Sequence, residues 1–331
     1  MSDKITEKIN DRQIISFEFA GERLDVFVGR YFEDLSRSKI QQAIENGLVL
    51  VNGVASKKSY ALRENDEVEI DEEKINAENP SNLQIIPEKI NLEILWEDKY
   101  YIAINKPARL VVHLGVGQKN GTLLNGLYGY ANEKFKPILV HRLDKDTSGV
   151  IIAAKSEIAH EKLSQKFAER EIYKEYCGVC IGKFPNAMEG IMEFPIGRDK
   201  KDPTKKAVDY HNGKEARTDY KILKYENGIY FTQFQLHSGR THQIRVHCAN
   251  SGFPIICDNL YGGDKEKIKF LEQKYRPFAL KIYDCFDRQA LHARKISFEH
   301  PFTKKEINIV ASFPADFEKA IKIMGLSSED L

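Results

Sequence analysis

Near the start of the chain apolar residues fall at Leu24, Phe27, Val28, Tyr31 and Phe32, an i, i+3, i+4, i+7, i+8 spacing that marks one face of a helix. A second, shorter helix is predicted with Ser36 or Ser38 as its N-cap, Ile40, Ala43 and Ile44 on its apolar face, and Gly47 as its stop. The pattern then changes: Leu48-Val49-Leu50-Val51 reads as a strand, Asn52-Gly53 as a tight hairpin turn and Val68-Glu69-Ile70 as a further strand. These elements make a small helix-helix-hairpin domain over residues 14–72. From 73 to 91 the chain is acidic, carries Pro80 and Pro87 and holds no sustained period, so it reads as a linker.

Residues 92–318 read as a larger domain that mixes many strands with few helices. Ile94-Leu95-Trp96, Tyr101 to Ile104, Val150 to Ala154, Tyr176 to Ile181, Tyr230 to Leu236 and Ile244-Arg245-Val246 are short β-rich runs. One helix is predicted after Ser156, with an apolar stripe of Ala159, Leu163 and Phe167 beside a basic stripe of Lys162, Lys166 and Arg170. Strands outnumber helices and do not alternate strictly with them. The expected class is therefore α+β, a mixed sheet flanked by helices, rather than a doubly wound parallel sheet.

At 331 residues the chain has room for two cores. No apolar run approaches the roughly 20 residues of a membrane helix, and Met1 to Lys8 lacks the apolar centre of a signal peptide, so a cytoplasmic protein without a membrane partner is expected. Five cysteines (Cys177, Cys180, Cys248, Cys257, Cys285) form an odd set without framework spacing, which fits a reducing compartment. Cys177 and Cys180, three apart on a strand, would face opposite sides, and no second pair follows, so no metal site is expected. The net charge of +1 hides an uneven distribution. Glu64 to Glu78 holds eight acidic residues against Lys74 alone, which leaves a surplus of eight positive charges elsewhere and permits a nucleic-acid partner.

Two polar runs carry candidate chemistry. His141 to Gly149 embeds Asp144 between Arg142 and Lys145 and closes on Thr147-Ser148-Gly149 before an apolar strand. Neighbouring cations favour the ionised carboxylate, which suits a nucleophile, a base or a salt bridge in a surface turn. Gly239 to His247 would put Thr241, Gln243, Arg245 and His247 on one face if extended, able to grip an anion or orient a carboxylate. An ion pair between Asp144 and Arg245 would join the two runs. A hydrolytic glycosidase would need two carboxylates in separate roles, whereas the second acid here, Asp146, shares the short turn of the first.

Seven motifs occur together and in order: Asn105-Lys106-Pro107, Leu110 to His113, His141 to Gly149, Lys174-Glu175-Tyr176, Gly239 to His247, Asp258 with Tyr261-Gly262-Gly263, and Leu291-His292-Ala293. They resemble the motif set of the RluA family of pseudouridine synthases over residues 93 to 315. Arg23-Leu24-Asp25, Ser36 to Ile40 and Gly47 to Gly53 resemble an S4-type RNA-binding module, so the whole chain is similar to the S4-bearing RluD type. The chain departs from the common family pattern at Arg109, Leu114, Ser238 and Cys257, none of them a catalytic group.

The resemblance implies a pseudouridine synthase fold and the conversion of uridine to pseudouridine in RNA, without cofactor or metal. Asp144 matches the catalytic aspartate, which attacks the sugar or the base or abstracts a sugar proton. Tyr176 matches the tyrosine that stacks on the uracil and helps remove the C5 proton, with Tyr173 a nearby decoy. Arg245 matches the basic partner of the aspartate, and Leu291 the apolar residue against the base. A base inside an RNA stem must be flipped out to be reached. Arg142 matches the position that reaches into the RNA beside the flipped base, His141 lies on the same loop, and Arg240 and Gln243 are candidate substrate contacts. Arg37, Lys39, Lys57 and Lys58 of the S4-type module are candidate phosphate contacts. The implied partner is large-subunit ribosomal RNA, free or within a pre-50S particle, with helix 69 the leading site and the protein a monomer. Another ribosomal or transfer RNA site, and a non-catalytic assembly factor, are the alternatives.

Overall fold

The computed structural model describes residues 12–15, 19–30, 32, 37–77, 85–115, 118–182, 187–202, 204–327 and 331. Tyr31, Ser36 and positions 78–84, which carry parts of the readings above, lie outside them. The chain divides into two compact units, Met1–Ile85 and Ile86–Leu331.

The first unit contains β1 (Arg12–Ile14), α1 (Leu24–Gly29), α2 (Arg37–Glu45), β2 (Val49–Val51), β3 (Val54–Ala55), β4 (Glu67–Ile70) and α3 (Glu72–Ala77). Its strands form one antiparallel sheet in the order β1-β4-β2-β3. Leu24, Phe27, Val28, Ile40, Ala43 and Ile44 fill the core as the helical spacing predicts. Helix α1 stops at Gly29, so Phe32 reaches that core from beyond the helix. Because α2 begins at Arg37, Ser38 lies within it rather than at its cap. Asn52 and Gly53 adopt φ of 53° and 74°, the left-handed pair that a two-residue hairpin turn demands. Just before the stretch read as linker, Asp71 accepts a hydrogen bond from the Lys74 N–H and starts α3, which runs into that stretch and buries Ile75 in the same core.

The second unit runs β5 (Glu93–Glu97), β6 (Tyr101–Lys106), α4 (Leu123–Ala131), β7 (Ile138–Leu139), β8 (Ser148–Ala154), α5 (Glu157–Ala168), β9 (Tyr173–Ile181), β10 (Glu189–Glu193), β11 (Ile196–Arg198), β12 (Lys206–Val208), β13 (Arg217–Glu226), β14 (Ile229–Leu236), α6 (Gln243–Asn250), α7 (Arg276–Tyr283), β15 (Leu291–Glu299), β16 (Glu306–Val310) and α8 (Ala315–Ile323). Its main sheet follows the path β10-β13-β14-β9-β15-β8-β6-β5, with β16 beside β15 and β7 beside β8. All these pairings are antiparallel except β8 with β15. The mixed sheet flanked by helices is the α+β class that the strand-rich pattern predicts. Ile86 and Glu88 belong here, since the Ile86 carbonyl and the Glu88 N–H both bond Asn125 of α4.

Every residue of β8 is buried, because helices cover both faces of the sheet at its centre. Tyr101, Ala103, Val150 and Ile152 pack with Ala159 and Leu163 of α5, while Ile102, Ile104, Ile151 and Ala153 pack with Leu123 and Leu127 of α4. Each large apolar side chain so buried contributes about 1.5–3 kcal/mol. Ser156 caps α5 by accepting from the Ala159 N–H, as its sequence position predicts.

One predicted strand is wrong. Ile244-Arg245-Val246 lies in α6, so Thr241, Gln243, Arg245 and His247 do not share a strand face. Alternation over so few residues does not separate strand from helix, and here Gln243 through Cys248 are all buried, polar and apolar alike. His242 takes φ of 59° to turn the chain into the helix, after which Gln243 and His247, one turn apart, both bond the Thr218 hydroxyl. No helix among the described residues is long and apolar enough to cross a membrane.

The parallel seam sets Ser148 opposite His292 and Gly149 opposite Ala293. Gly149 has φ of 110°, and a Cβ there would collide with the Ala293 carbonyl. His292 is fully buried against Phe313 and Phe317, its Nδ1 2.9 Å from the Ser148 hydroxyl. Burial pushes its imidazole down from 6.5 to about 3, reinforced by Arg288 and Arg294. Between those two values the folded protein binds fewer protons at this site than the unfolded chain does. Stability should therefore fall as the pH drops through that window, by up to about 1.4 kcal/mol per unit for one group. The urea midpoint is expected to be lower at pH 5 than at pH 7, and His292→Gln should flatten part of that difference; an unchanged pH slope in this variant would show that His292 is not the group responsible.

Candidate active site

The turn from His141 to Thr147 joins β7 to β8 and is braced from beneath by two buried cations. Lys106 is fully buried, and its ammonium donates to the carbonyls of Lys145 at 2.9 Å, Pro107 at 2.8 Å and Leu110 at 3.1 Å. Burial, with the charge of Arg288, pushes this ammonium down to about 7. Arg288 donates to the carbonyls of Asp146 and Leu291 and to the Ser148 hydroxyl, and pairs with Asp316 at 2.8 Å. The turn's main chain is thus held from inside, with Leu143 and Thr147 buried and Arg142 and Lys145 exposed. Asp144 closes it by accepting the Thr147 N–H at its own carbonyl.

Arg142 and Lys145 flank Asp144 in sequence but are exposed, and the cation that engages it comes from α6. Arg245 Nη1 lies 3.1 Å from Asp144 Oδ2, while its Nε and Nη2 make a two-pronged contact with Asp258 at 2.7 and 2.9 Å. Burial opposes the guanidinium charge, but hydrogen bonds and attraction from Asp258, and then from Asp144, outweigh it and raise the Arg245 pKa. The Tyr261 ring covers the guanidinium at 4.9 Å, and its hydroxyl lies 2.7 Å from His242 Nδ1. His242 Nε2 is 3.9 Å from Asp144 Oδ2. Burial lowers the His242 pKa, partly countered by Asp144. Asp144 Oδ1 accepts no hydrogen bond among the described residues, which leaves one carboxylate oxygen facing the cavity.

That cavity, about 70 Å³, is lined by Asp144, Arg142, Tyr176, Arg240, Gln243, Arg245 and Leu291 together with the turn after β14. Tyr176 and Leu291 come from the adjacent strands β9 and β15. Burial raises the Tyr176 pKa, as does Asp144, so its phenol keeps its proton near neutral pH and offers a ring face and a hydroxyl rather than a phenolate. Tyr173 points to the opposite side of β9, where its hydroxyl donates to Glu175.

Two candidate contacts are used up within the protein. Gln243 lines the cavity, yet its amide oxygen accepts from Ser238 and the Arg240 N–H, and its amide nitrogen donates to the Arg217 carbonyl and Thr218. All its bonding capacity is internal, and it ties down the loop that carries Arg240. His141 accepts the Ile152 N–H at Nε2 and stacks on Phe167 at 5.0 Å, outside the Asp144 cavity. Burial, with Lys174 nearby, pushes it down to about 3, so it anchors the turn as a neutral ring. Asp258, Tyr261 and His242 were missed as site residues from sequence. The available signal was Asp258 itself, an acid ending the apolar run Phe253 to Cys257, whose charge required a buried partner.

In the first unit, Arg37 lies 3.3 Å from buried Asp25, which also bonds Arg23 and Gln41. The Arg23 hydrogen bond leads the causes that hold Asp25 down at about 2. Lys58 pairs with Glu45 at 2.8 Å, Lys57 is exposed and Lys39 is half-buried. No group of three or more His, Cys, Asp or Glu side chains among the described residues could hold a metal ion.

The comparisons with known proteins agree with this geometry. Residues 100–250 match the family described as RNA pseudouridylate synthase, and residues 22–68 match the S4 domain. The chain is 36% identical over 335 residues to ribosomal large subunit pseudouridine synthase D of Escherichia coli (strain K12), covering 99% of this chain and 96% of that protein. It is 35% identical over 313 residues to the uncharacterized RNA pseudouridine synthase YlyB of Bacillus subtilis (strain 168), covering 93% and 95%. Among solved structures, human RNA pseudouridylate synthase domain containing 4 superposes with a TM-score of 0.53 at 26% identity over 71% of this chain and 94% of that one. Human RNA pseudouridylate synthase domain containing 1 gives 0.52 at 22% over 69% and 85%, a likeness of fold. Near-full-length identity of this order, over a chain that carries both matched regions, means that the protein belongs to the RNA pseudouridine synthase family and bears an S4 domain.

Proposed function

We propose that this synthase isomerises uridines of large-subunit ribosomal RNA and that Asp144 is the carboxylate that acts at the glycosidic bond. The observation that carries the catalytic part is the chain Asp258–Arg245–Asp144, which ends in one carboxylate oxygen open to a cavity walled by Tyr176 and Leu291. In the reaction C1′–N1 breaks, C1′–C5 forms, C5 loses a proton and N1 gains one. The balance is that of an isomerisation and consumes no oxidant or reductant.

Within this reading Arg245 holds the Asp144 carboxylate in place at the sugar. Tyr176 stacks against the uracil while it turns, and Leu291 fills the space beneath it. Arg142, exposed on the same turn, reaches toward the RNA that the flipped base has left. The S4 domain adds phosphate contacts through Arg37, Lys39, Lys57 and Lys58. The ribosomal substrate rests on the relatives named for the large ribosomal subunit, and helix 69, presented free or in a pre-50S particle to a cytoplasmic monomer, is the finer form of the proposal. Residues 14–72 and 92–318 are the proposed RNA-binding and catalytic domains.

Asp144→Asn should abolish pseudouridine formation, read as tritium release from C5-labelled uridine RNA, with the unfolding transition intact; surviving turnover would remove Asp144 from the mechanism. Asp258→Asn keeps the shape of the Arg245 anchor but removes its charge. It should lower kcat by about 10²-fold with little change in KM, the signature of a misplaced reacting group. A chemical pseudouridine map of ribosomal RNA from cells lacking the gene should show loss of marks in the large subunit. Maps unchanged there but altered in transfer RNA would move the substrate, and release of free uracil by the purified protein would argue for hydrolysis instead.

A further inference from the structure

Beside the Asp144 pocket opens a second cavity of about 390 Å³, and the two share Arg142, Tyr176, Leu236, Gly239 and Arg240 as a common wall. The far side of this second cavity adds Arg170 and Lys174, and none of its lining residues is acidic. Lys174 extends from the same face of β9 as Tyr176, donates to the Ser238 carbonyl at 3.3 Å and has its ammonium 5.8 Å from the Phe167 ring. The side chains of Arg142 and Arg170 are exposed and make no hydrogen bond or ion pair among the described residues. Acids near this side of the sheet are already engaged: Asp219 by Arg217 and His237, and Glu171 by Lys166. Four cations gathered without a counter-ion repel one another until an anion enters.

The volume lies within the roughly 300–1,000 Å³ of small-ligand sites. Phe167, backed by His141, gives it an aromatic wall, and an aromatic face beside cations is the combination that takes a base and its phosphate. We propose that this cavity is a second nucleotide subsite: with the target uridine in the Asp144 pocket, it receives the adjoining nucleotide of the same strand, its phosphodiester held by Arg170 and Lys174 and its base against Phe167. The proposal rests on reading the Asp144 pocket as the uridine pocket, because only a continuous strand must pass from one cavity to the other across Arg142 and Arg240.

The test uses full-length protein and total RNA from cells lacking the gene, so that it does not depend on which RNA carries the target. Arg170→Gln suits the left-handed backbone at that position, φ 63°, better than a branched residue, and Lys174→Gln keeps a donor for the Ser238 carbonyl. The double variant should raise KM for pseudouridine formation about tenfold, the worth of one charge-assisted contact, with kcat unchanged. The dependence of log binding constant on log salt should become shallower by about 0.7–0.9 for each phosphate that the variant no longer neutralises, and Lys174→Arg should behave as wild type. Wild-type KM and salt slope in the double variant, or a loss confined to kcat, would overturn the subsite. Asp144→Asn run in parallel separates the two readings: if it is inactive while the double variant is indistinguishable from wild type, only the subsite fails.

Discussion

The Arg245 guanidinium, shared between two carboxylates, is the interaction on which the site depends. A guanidinium at this depth without a partner would cost several kcal/mol, and a single partner placed at the substrate would leave it free to swing. Asp258, almost wholly buried, takes two of its prongs and fixes the plane of the group, so the third prong has one direction to point, toward Asp144. The Asp144 carboxylate is therefore oriented by α6 and the loop after it as well as by its own turn. That loop is tightly specified. Cys257 adopts φ of 60°, its N–H bonds the Gly263 carbonyl, and a side chain at Gly263 would collide with the Ile255 carbonyl.

The turn that carries Asp144 is held by a different means. Lys106 and Arg288 bond its main-chain carbonyls from inside, His141 and the buried Leu143 anchor it by their side chains, and Arg142 and Asp144 are left for the cavity. Arg288 also takes the Leu291 carbonyl, and the parallel seam between β8 and β15 brings the two segments together at Ser148 and His292. Asp144 and Leu291 are thereby registered to one another through backbone. Parallel pairing is confined to this seam of the main sheet, and it is what places two distant motifs side by side.

Much of this arrangement is legible in the order of residues alone. The apolar runs mark β6, β8, β9 and β14 because strands covered on both faces carry continuous hydrophobic sequence, and Ser156 announces α5. The ion pair from Asp144 to Arg245 follows from charge logic, although the strand expected for Arg245 is a helix, since six consecutive buried residues erase the period that would tell the two apart. For Gln243 and His141 the structure adds what sequence cannot: sequence shows that a polar group is present, not whether its hydrogen bonds are already spent. Asp258 is visible as a motif residue, yet its role requires knowing that the chain returns past Arg245. Strands such as β10 and β13 escape because their outward faces carry charge and their inward residues alternate only over short stretches.

A carboxylate amid RNA phosphates would be an electrostatic liability, and cations stand around Asp144. Asp144 and Asp258 together carry two negative charges against the single charge of Arg245, so the triad alone would repel an RNA backbone. Arg142, Arg240, Arg170 and Lys174 line the Asp144 cavity or the one beside it and add positive charge to its surroundings. The division is spatial: the acids are paired and fixed by geometry inside, while Arg142 and Arg170 are exposed and unpaired among the described residues. A whole-chain charge of +1 is compatible with RNA binding because it is an average over these two populations and the acidic stretch around Glu64 to Glu78.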